Sequence, residues 1–385
     1  MAETWVEVNL ANIAHNTRAV KDLIGPDTQL MAVVKANAYG HGAVPVARTV
    51  LASGADWLGV FKPEEAVQLR AAGIMAPILV MGAFAPDEAE AVVEMDLTVA
   101  VSTPQQAQSL EQAAARVGKQ ARVHLEVDTG LGRYGMKPAE LPALAERVDN
   151  SNYLFLEGVF THLSAGPTNK QAAQRQLAAF LASLPELDRP IPLRHAASSG
   201  SLLSVPEARL DMVRIGTMLY GQGHHQIPSG MELKPVFELC TRITHITSYR
   251  KGERIGYGNG VRLRRDTRVA VVPVGYAEGF GMEPSRAPET MLELLRNCAK
   301  QFLRYIGHGR VTEKAIWNSR PVPVLGRVGM QHTTLDITDL MHAGPQVGDI
   351  VMLPVRRVLV GPHVPRCFFG EEVVTQQVRE HELAK

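Results

Sequence analysis

Leu30-Met31-Ala32-Val33-Val34-Lys35-Ala36-Asn37-Ala38-Tyr39-Gly40-His41-Gly42 is the stretch on which the reading of the chain turns. The apolar run from Leu30 to Val34 reads as a buried parallel strand, because a strand covered on both faces carries unbroken apolar sequence. Lys35 ends it. Burial disfavours an ammonium and lowers its pKa, and a lysine held that way is suited to act as an amine nucleophile toward a carbonyl. Taken alone, a strand-end lysine more often emerges into solvent. The turn that follows favours the nucleophile, since Asn37, Tyr39, Gly40 and Gly42 offer hydroxyl and backbone donors suited to a phosphate-bearing aldehyde.

Outward from this strand the same texture recurs. Strand-like runs stand at 30–34, 57–60, 78–81, 97–101, 122–127, 156–161, 194–197 and 212–215, with helical stretches between them. Pro63-Glu64-Glu65 opens one helix that ends at Gly73, and Leu177, Phe180, Leu181 and Leu184 mark the face of another. Eight strands with helical crossovers predict a (β/α)8 barrel of the TIM type, an α/β fold. No dinucleotide-type glycine fingerprint follows the first strand, which disfavours an open doubly wound sheet. Ahead of the barrel, Trp5 to Leu10 alternates like a strand, and Asn9 is placed to cap a helix carrying Ile13, Val20, Leu23 and Ile24. After the turn-rich connector 221–230, which includes the pair His224-His225, the texture becomes β, at 243–249, 269–274, 322–325, 334–337 and 349–355. Residues 288–306 interrupt it as a helix with Met291, Leu292, Leu295, Cys298, Phe302 and Ile306 as its apolar positions. The expected domains are a barrel over 10–225 and a mostly β domain over 235–380.

The 385 residues suffice for two domains, and 45% apolar with 21% charged content is ordinary for a globular protein. A net charge of +1 gives no electrostatic reason to expect nucleic acid or an anionic membrane as partner. Cys240, Cys298 and Cys367 are too scattered for a disulfide framework or a CxxC metal site. The histidines at 41, 195, 224, 225, 308 and 332 show no metal-ligand spacing and read as turns and surface, so no metal is expected. With no apolar signal core in Met1 to Asn9 and no apolar run of membrane-spanning length, the expected setting is the cytoplasm.

In a parallel barrel, reactive groups gather at the C-terminal ends of the strands. Lys35 follows the first strand, Arg133 the fifth, His162 the sixth, Ser198 and Ser199 the seventh, and Arg214 ends the eighth. Any one of these is more often structural. Their convergence on one face is the signal.

The segment Ala32 to Gly42 resembles the lysine motif of alanine racemases, which are pyridoxal 5'-phosphate (PLP) enzymes of fold type III. The resemblance runs from Trp5 to about Phe368. It implies a barrel and a β domain that the N-terminal strand 1–9 joins. It makes Lys35 the cofactor-bearing lysine and places Tyr39 among the cofactor's contacts. Asp128-Thr129-Gly130-Leu131-Gly132-Arg133-Tyr134-Gly135 resembles the segment whose arginine, here Arg133, reaches the cofactor's phenolic oxygen and the substrate carboxylate. His162 corresponds to the histidine packed on the cofactor ring. Ser198 and Ser199 fall in the phosphate-binding stretch expected to open the next helix, with Ser198 where the family commonly has Asn. Met212 to Gly221 matches closely, so Arg214 faces the pyridine nitrogen and the Gly216 and Thr217 amides help hold the phosphate.

In the β domain, Ile255-Gly256-Tyr257-Gly258 resembles the catalytic-tyrosine segment. Residues 275–280 and 324–330 resemble two further signatures, with Glu278, Phe280, Gly329 and Gln331 replacing the usual Asp, Tyr, Cys and Asp. Met330 would offer its amide to the substrate carboxylate. Glu126 falls where many relatives carry a carbamylated lysine, so it is expected to supply the anion that orients Arg133 without carbon dioxide. The implied enzyme is a homodimeric, PLP-dependent isomerase supplying D-alanine for peptidoglycan. Lys35 is one base and Tyr257 of the partner subunit the other, its pKa lowered by a cationic network of His162 and Arg214. The competing readings are a racemase of another or several amino acids and a non-catalytic PLP-binding regulator. The second would resemble a barrel alone, and the β domain with Tyr257 argues against it. A decarboxylase of basic amino acids would need a Gly-Pro-x-Cys setting that Gly361-Pro362-His363-Val364 does not supply.

Overall fold

The structure is a computed structural model that describes residues 3–164, 169–185, 190–223, 227–228, 230–256, 260–282, 288, 290–305, 314–340 and 344–370. The chain divides into two compact units, Asn9–Val236 with Phe368–Lys385, and Met1–Val8 with Phe237–Cys367. Residues 371–380 of the expected β domain lie outside the described residues.

Eight parallel strands close into a barrel: Gln29–Val33, Trp57–Val60, Ile78–Val80, Thr98–Val101, Ala121–Val127, Leu154–Thr161, Leu193–Ser198 and Met212–Ile215. Closure is the pairing of the first with the last, Met31 opposite Arg214 and Ala32 opposite Ile215. The apolar runs are apolar because both faces are covered, one by helices and the other by the barrel's interior. Met31, Trp57, Leu79, Leu193 and Met212 pack together as one buried cluster.

Local punctuation follows the sequence in most places. Asn9 caps the helix Leu10–Ile24 by accepting from the Asn12 amide at 2.9 Å, and Gly25, at φ +78°, ends it. Two expectations fail. Leu181 is exposed and Leu184 lies beyond the helix Lys170–Ala182, whose buried face is Ala173, Gln176, Leu177 and Phe180. No α-helix opens at Ser198 either. The amides of Ser201 and Leu202 fold back to the Ser198 carbonyl, and Pro206–Ala208 is a single 3-10 turn. The next strand starts at Met212, which leaves little chain for a crossover helix, and Pro206 interrupts what remains.

In the β unit, Thr4–Asn9 pairs antiparallel with Phe237–Arg242, Glu7 opposite Glu238. Phe237–Arg242 pairs on its other side with Ile350–Leu353, which pairs with Lys314–Trp317 and, through it, Arg320–Pro323. A second sheet holds His245–Tyr249, Thr267–Val272 and Thr333–Asp336. The interrupting helix is Met291–Tyr305, and its apolar positions Met291, Leu292, Leu295 and Phe302 are 59–72% exposed within one chain. Ile306 lies outside the described residues. Among these residues no helix is long and apolar enough to cross a membrane.

Candidate active site

At the C-terminal ends of the barrel strands is a cavity of about 240 Å³. It is lined by Lys35, Tyr39, Glu126, Arg133, His162, Ser198, Ser199, Arg214, Gly216 and Thr217 together. The residues singled out along the barrel sequence therefore converge.

Lys35 leaves the first strand into a left-handed turn. Ala36, Asn37, Ala38 and Tyr39 have φ of 51–55°, a conformation that costs L-residues roughly 1–2 kcal/mol each. Asn37 tolerates it best, and its side chain accepts from the Ala43 amide at 2.7 Å. Glu65 holds the turn from outside by accepting from the Ala36 amide with one oxygen and from Phe61 and Lys62 with the other. The turn carries Tyr39 back under the cavity. Burial and, after it, the charge of Arg133 hold the Lys35 amine below its ordinary pKa, against a raising pull from Glu65.

The glycine-rich loop after the fifth strand is organised by Asp128. One carboxylate oxygen accepts from the amides of Gly130, Leu131 and Gly132 at 2.9–3.0 Å. Gly135, at φ +103°, has no room for a side chain, since a Cβ there would stand 2.6 Å from the Asp128 nitrogen. The loop sets Arg133 at the mouth of the cavity. Glu126 is buried below it, and desolvation pushes its carboxyl up to about 7, against the pull of Arg214 and Arg133. Its negative charge is thus only partly developed at neutral pH, a qualification to the expected permanent anion.

Arg214 is fully enclosed yet keeps its charge, its pKa brought down by burial only to about 10. It donates to His195 Nδ1 and to the Thr161 carbonyl, both at 2.7 Å, and its other contacts include His162 Nδ1 at 3.5 Å. Burial and the cations Arg214, Arg133 and Lys35 hold His162 down to about 3. His162 is therefore neutral, and the expected cationic pair reduces to Arg214 alone.

Hydroxyls and amides fill the side formed by the last two strands. Ser199 Oγ accepts from the Gly216 amide at 3.1 Å and the Met218 amide at 3.5 Å, so it engages one of the amides expected to meet a phosphate directly. A Cβ on Gly216 would stand 2.6 Å from Tyr39 Oη. Ser198 is tied into its own turn, its amide donating to Ser201 Oγ at 2.9 Å.

Tyr257 lies outside the described residues, as do His224, His225 and His308. Met330 belongs to the β unit, exposed, with its carbonyl accepting from the Ala277 amide. There Glu278 is buried and caps its own turn by accepting from the Gly275 amide, and Phe280 is fully buried. His41 and His195 are not surface residues as expected; both are fully buried. His41 stacks on Tyr220 at 4.5 Å, and His195 supports Arg214 inside the barrel. Sequence reasoning passed over His124 and Glu157. The stripe Arg122, His124, Glu126, polar at every second position of one strand and continued by Asp128 just past its end, was the available signal.

The chain matches known proteins along most of its length. The profile described as alanine racemase, N-terminal domain, matches residues 8–223, and the profile of the alanine racemase C-terminal domain matches residues 236–358. An alanine racemase of Symbiobacterium thermophilum is 39% identical over 92% of this chain and 88% of its own. One from Desulfovibrio desulfuricans is 33% identical over 94% and 90%. The crystal structure of alanine racemase from D-cycloserine producing Streptomyces lavendulae superposes with a TM-score of 0.81 at 27% identity, covering 96% of this chain and 98% of that one. On this arrangement of strands and side chains, and on these matches, the chain belongs to the alanine racemase family.

Proposed function

We propose that the chain interconverts L- and D-alanine with PLP, as a homodimer, and that its D-alanine serves peptidoglycan synthesis. The observation that carries this reading is the juxtaposition in one cavity of an amine held below its ordinary pKa, Lys35, with a buried guanidinium, Arg214. The residues present fit the cofactor. Ser198, Ser199, Thr217 and Tyr39 offer hydroxyls around a backbone that Gly216 keeps free of a Cβ, a donor set suited to a phosphate. Lys35 offers the amine that an aldehyde requires. When bound, PLP supplies the electron sink for negative charge at Cα.

The chain's own groups divide the remaining work. Arg133 has the planar fork that pairs a carboxylate through two parallel hydrogen bonds, and Glu126 would orient it as that carboxyl ionises. The Met330 amide would add to the grip on the substrate carboxylate. Lys35 moves the proton on one face of Cα. Tyr257 of the partner subunit moves it on the other, since a single base returns a proton to the face it left. Arg214 keeps its proton, so it would offer a pyridine nitrogen a hydrogen bond and no proton transfer. Arg214 would thereby favour return of the proton to Cα over side reactions. His162, neutral, lines the same cavity and would pack beside the ring. Cys240, Cys298 and Cys367 are not joined in disulfides, which supports the cytoplasm as the setting.

The test uses purified, cofactor-loaded protein. Reduction with borohydride followed by peptide mapping should place the pyridoxyl label on Lys35, and a panel of L-amino acids should give D-product most readily from alanine. A label on a different lysine, or D-product from another amino acid in preference, overturns the corresponding part of the reading.

A further inference from the structure

Behind Arg214 the barrel interior holds a line of polar side chains to which the proposed reaction assigns no part. Arg214 Nη1 lies 2.7 Å from His195 Nδ1. His195 Nε2 lies 2.8 Å from His124 Nδ1. His124 Nε2 lies 3.5 Å from Glu157 Oε2, an electrostatic contact that falls short of hydrogen-bond geometry. Both histidines are fully buried, so the line crosses the core. It ends near the N-terminal end of the barrel, where Glu157 accepts from Thr98 Oγ1 at 2.9 Å and stands 3.8 Å from Arg122 Nε. Thr98 and Arg122 are at the starts of their strands.

The protons along this line are dictated. A guanidinium has donors only, so His195 Nδ1 accepts and the His195 proton sits on Nε2. That N–H donates to His124 Nδ1, which puts the His124 proton on Nε2, facing a carboxylate. Burial, and Arg214 after it, keep His195 uncharged. Burial does the same for His124, against a raising pull from Glu157. Each ring is thus a neutral imidazole with one allowed tautomer.

The backbone is shaped to the same end. Val123 pairs with Leu156 and His124 with Gly158, so Glu157 is the unmatched residue of a bulge, a device that re-aims a side chain. Gly158 leaves the space that the His124 ring fills, since a Cβ there would stand 2.8–2.9 Å from three of its ring atoms. Phe160 completes the packing, stacked on His195 at 4.8 Å and 5.1 Å from the Arg214 guanidinium.

We propose that Glu157 is a positioning residue for the reaction: through His124 it fixes the tautomer in which His195 accepts from Arg214, and so fixes the orientation of Arg214 in the cavity. Were the line to reverse, His195 would present an N–H to a guanidinium N–H, and Arg214 would have to turn away. The proposal rests on the reading of the cavity as the reaction site, and its main readout does not depend on that reading.

The experiment is ring 15N spectroscopy of 15N-histidine-labelled holoenzyme, with racemase kinetics on the same samples. In the natural chain His124 and His195 should both show the Nε2–H tautomer. Glu157→Leu, which removes the carboxylate, should give mixed tautomers at both rings and a loss of kcat of roughly tenfold, within the range by which residues remote from a site act on it through a packed network. KM should hold, because Arg133 grips the substrate. Glu157→Gln keeps an oxygen that accepts from Thr98 and faces His124, and should restore the tautomers and most of kcat. Thr98→Val, which removes the hydrogen bond to Glu157 and leaves Arg122 beside it, should fall between and serves if the leucine variant does not fold. Natural ring shifts in both Glu157→Leu and Thr98→Val, or shifted rings with an unchanged kcat, overturn the proposal. Failure to racemise any amino acid with the predicted ring shifts intact would instead count against the function assigned to the cavity.

Discussion

Glu126→Gln separates the electrostatics of the cavity from its packing. Glu126 is 5% exposed, and burial raises its carboxyl from its ordinary 4.5 to about 7 despite Arg214 and Arg133. Between those two values the folded chain holds a proton that the unfolded chain has released. Stability therefore falls as pH rises through this window. At about 1.4 kcal/mol per pH unit, the full penalty at pH above the window is on the order of 3 kcal/mol. Glutamine mimics the protonated acid, so the variant should match the natural chain at the acid end of the window and exceed its stability at the alkaline end. Thermal melts across the window measure this, and for a large domain each kcal/mol shifts the midpoint by about 2–4 °C. The same substitution should raise KM for alanine at alkaline pH, where an ionised Glu126 would orient Arg133, and leave it nearly unchanged at the acid end. Parallel melting curves for the two proteins would refute the buried, proton-holding carboxyl. A variant less stable than the natural chain at alkaline pH would show Glu126 to be an ionised partner of the arginines instead.

Three further outcomes are expected. Tyr257→Phe should retain cofactor and dimer but lose most racemisation, and mixing it with Lys35→Ala should restore part of the activity by forming dimers with one intact site; no recovery from verified mixed dimers refutes a shared site. His162, held down to about 3, should show no ring titration near its ordinary 6.5, and the stability it contributes should be complete above 6.5 and decline toward about 3 as acid protonates the unfolded chain first; a ring that titrates near 6.5 contradicts the neutral assignment. Leu292→Gln and Leu295→Gln, at 71% and 59% exposure, should change stability by less than about 0.5 kcal/mol if that helix face is free, and a larger loss accompanied by dissociation would show it covered in the dimer.

The barrel was legible because most of its strands are apolar runs separated by punctuated helical stretches, so period and punctuation agreed. The β unit was less so. Phe237–Arg242, which pairs with the N-terminal strand and with Ile350–Leu353, reads Phe-Glu-Leu-Cys-Thr-Arg, with too little apolar alternation to stand out before Ile243. Its partners are far apart in sequence, and pairing across such separations leaves no local mark. The helix expected after Ser198 failed for a related reason. Serines before a glycine suit a helix start, but the same side chains also stabilise turns, and the position of Met212 decided between them.

The candidate site divides along a similar line. Lys35, Arg133, His162, Ser199 and Arg214 could be found because each stands at a strand's C-terminal end, a place the topology marks. His124, Glu157 and His195 stand within strands, where a polar residue is ordinarily read as facing solvent. Which face of a barrel strand looks inward is fixed only when the barrel closes, and the bulge at Glu157 breaks the alternation that would have placed it beside His124. Burial of such groups is costly unless every donor meets an acceptor. Here a line of donors beginning at Arg214 ends on the His124 Nε2 proton, which makes no hydrogen bond and is offset by the Glu157 carboxylate 3.5 Å away. The glycine next to Glu157 was the mark left in the sequence: a glycine inside a buried strand signals that something approaches closely, and what approaches Gly158 is the His124 ring. The charge at the floor of the cavity and the acid at the far end of the barrel are thereby parts of one constraint, in which the placement of a cation dictates the protonation of two rings and the position of a carboxylate beyond them.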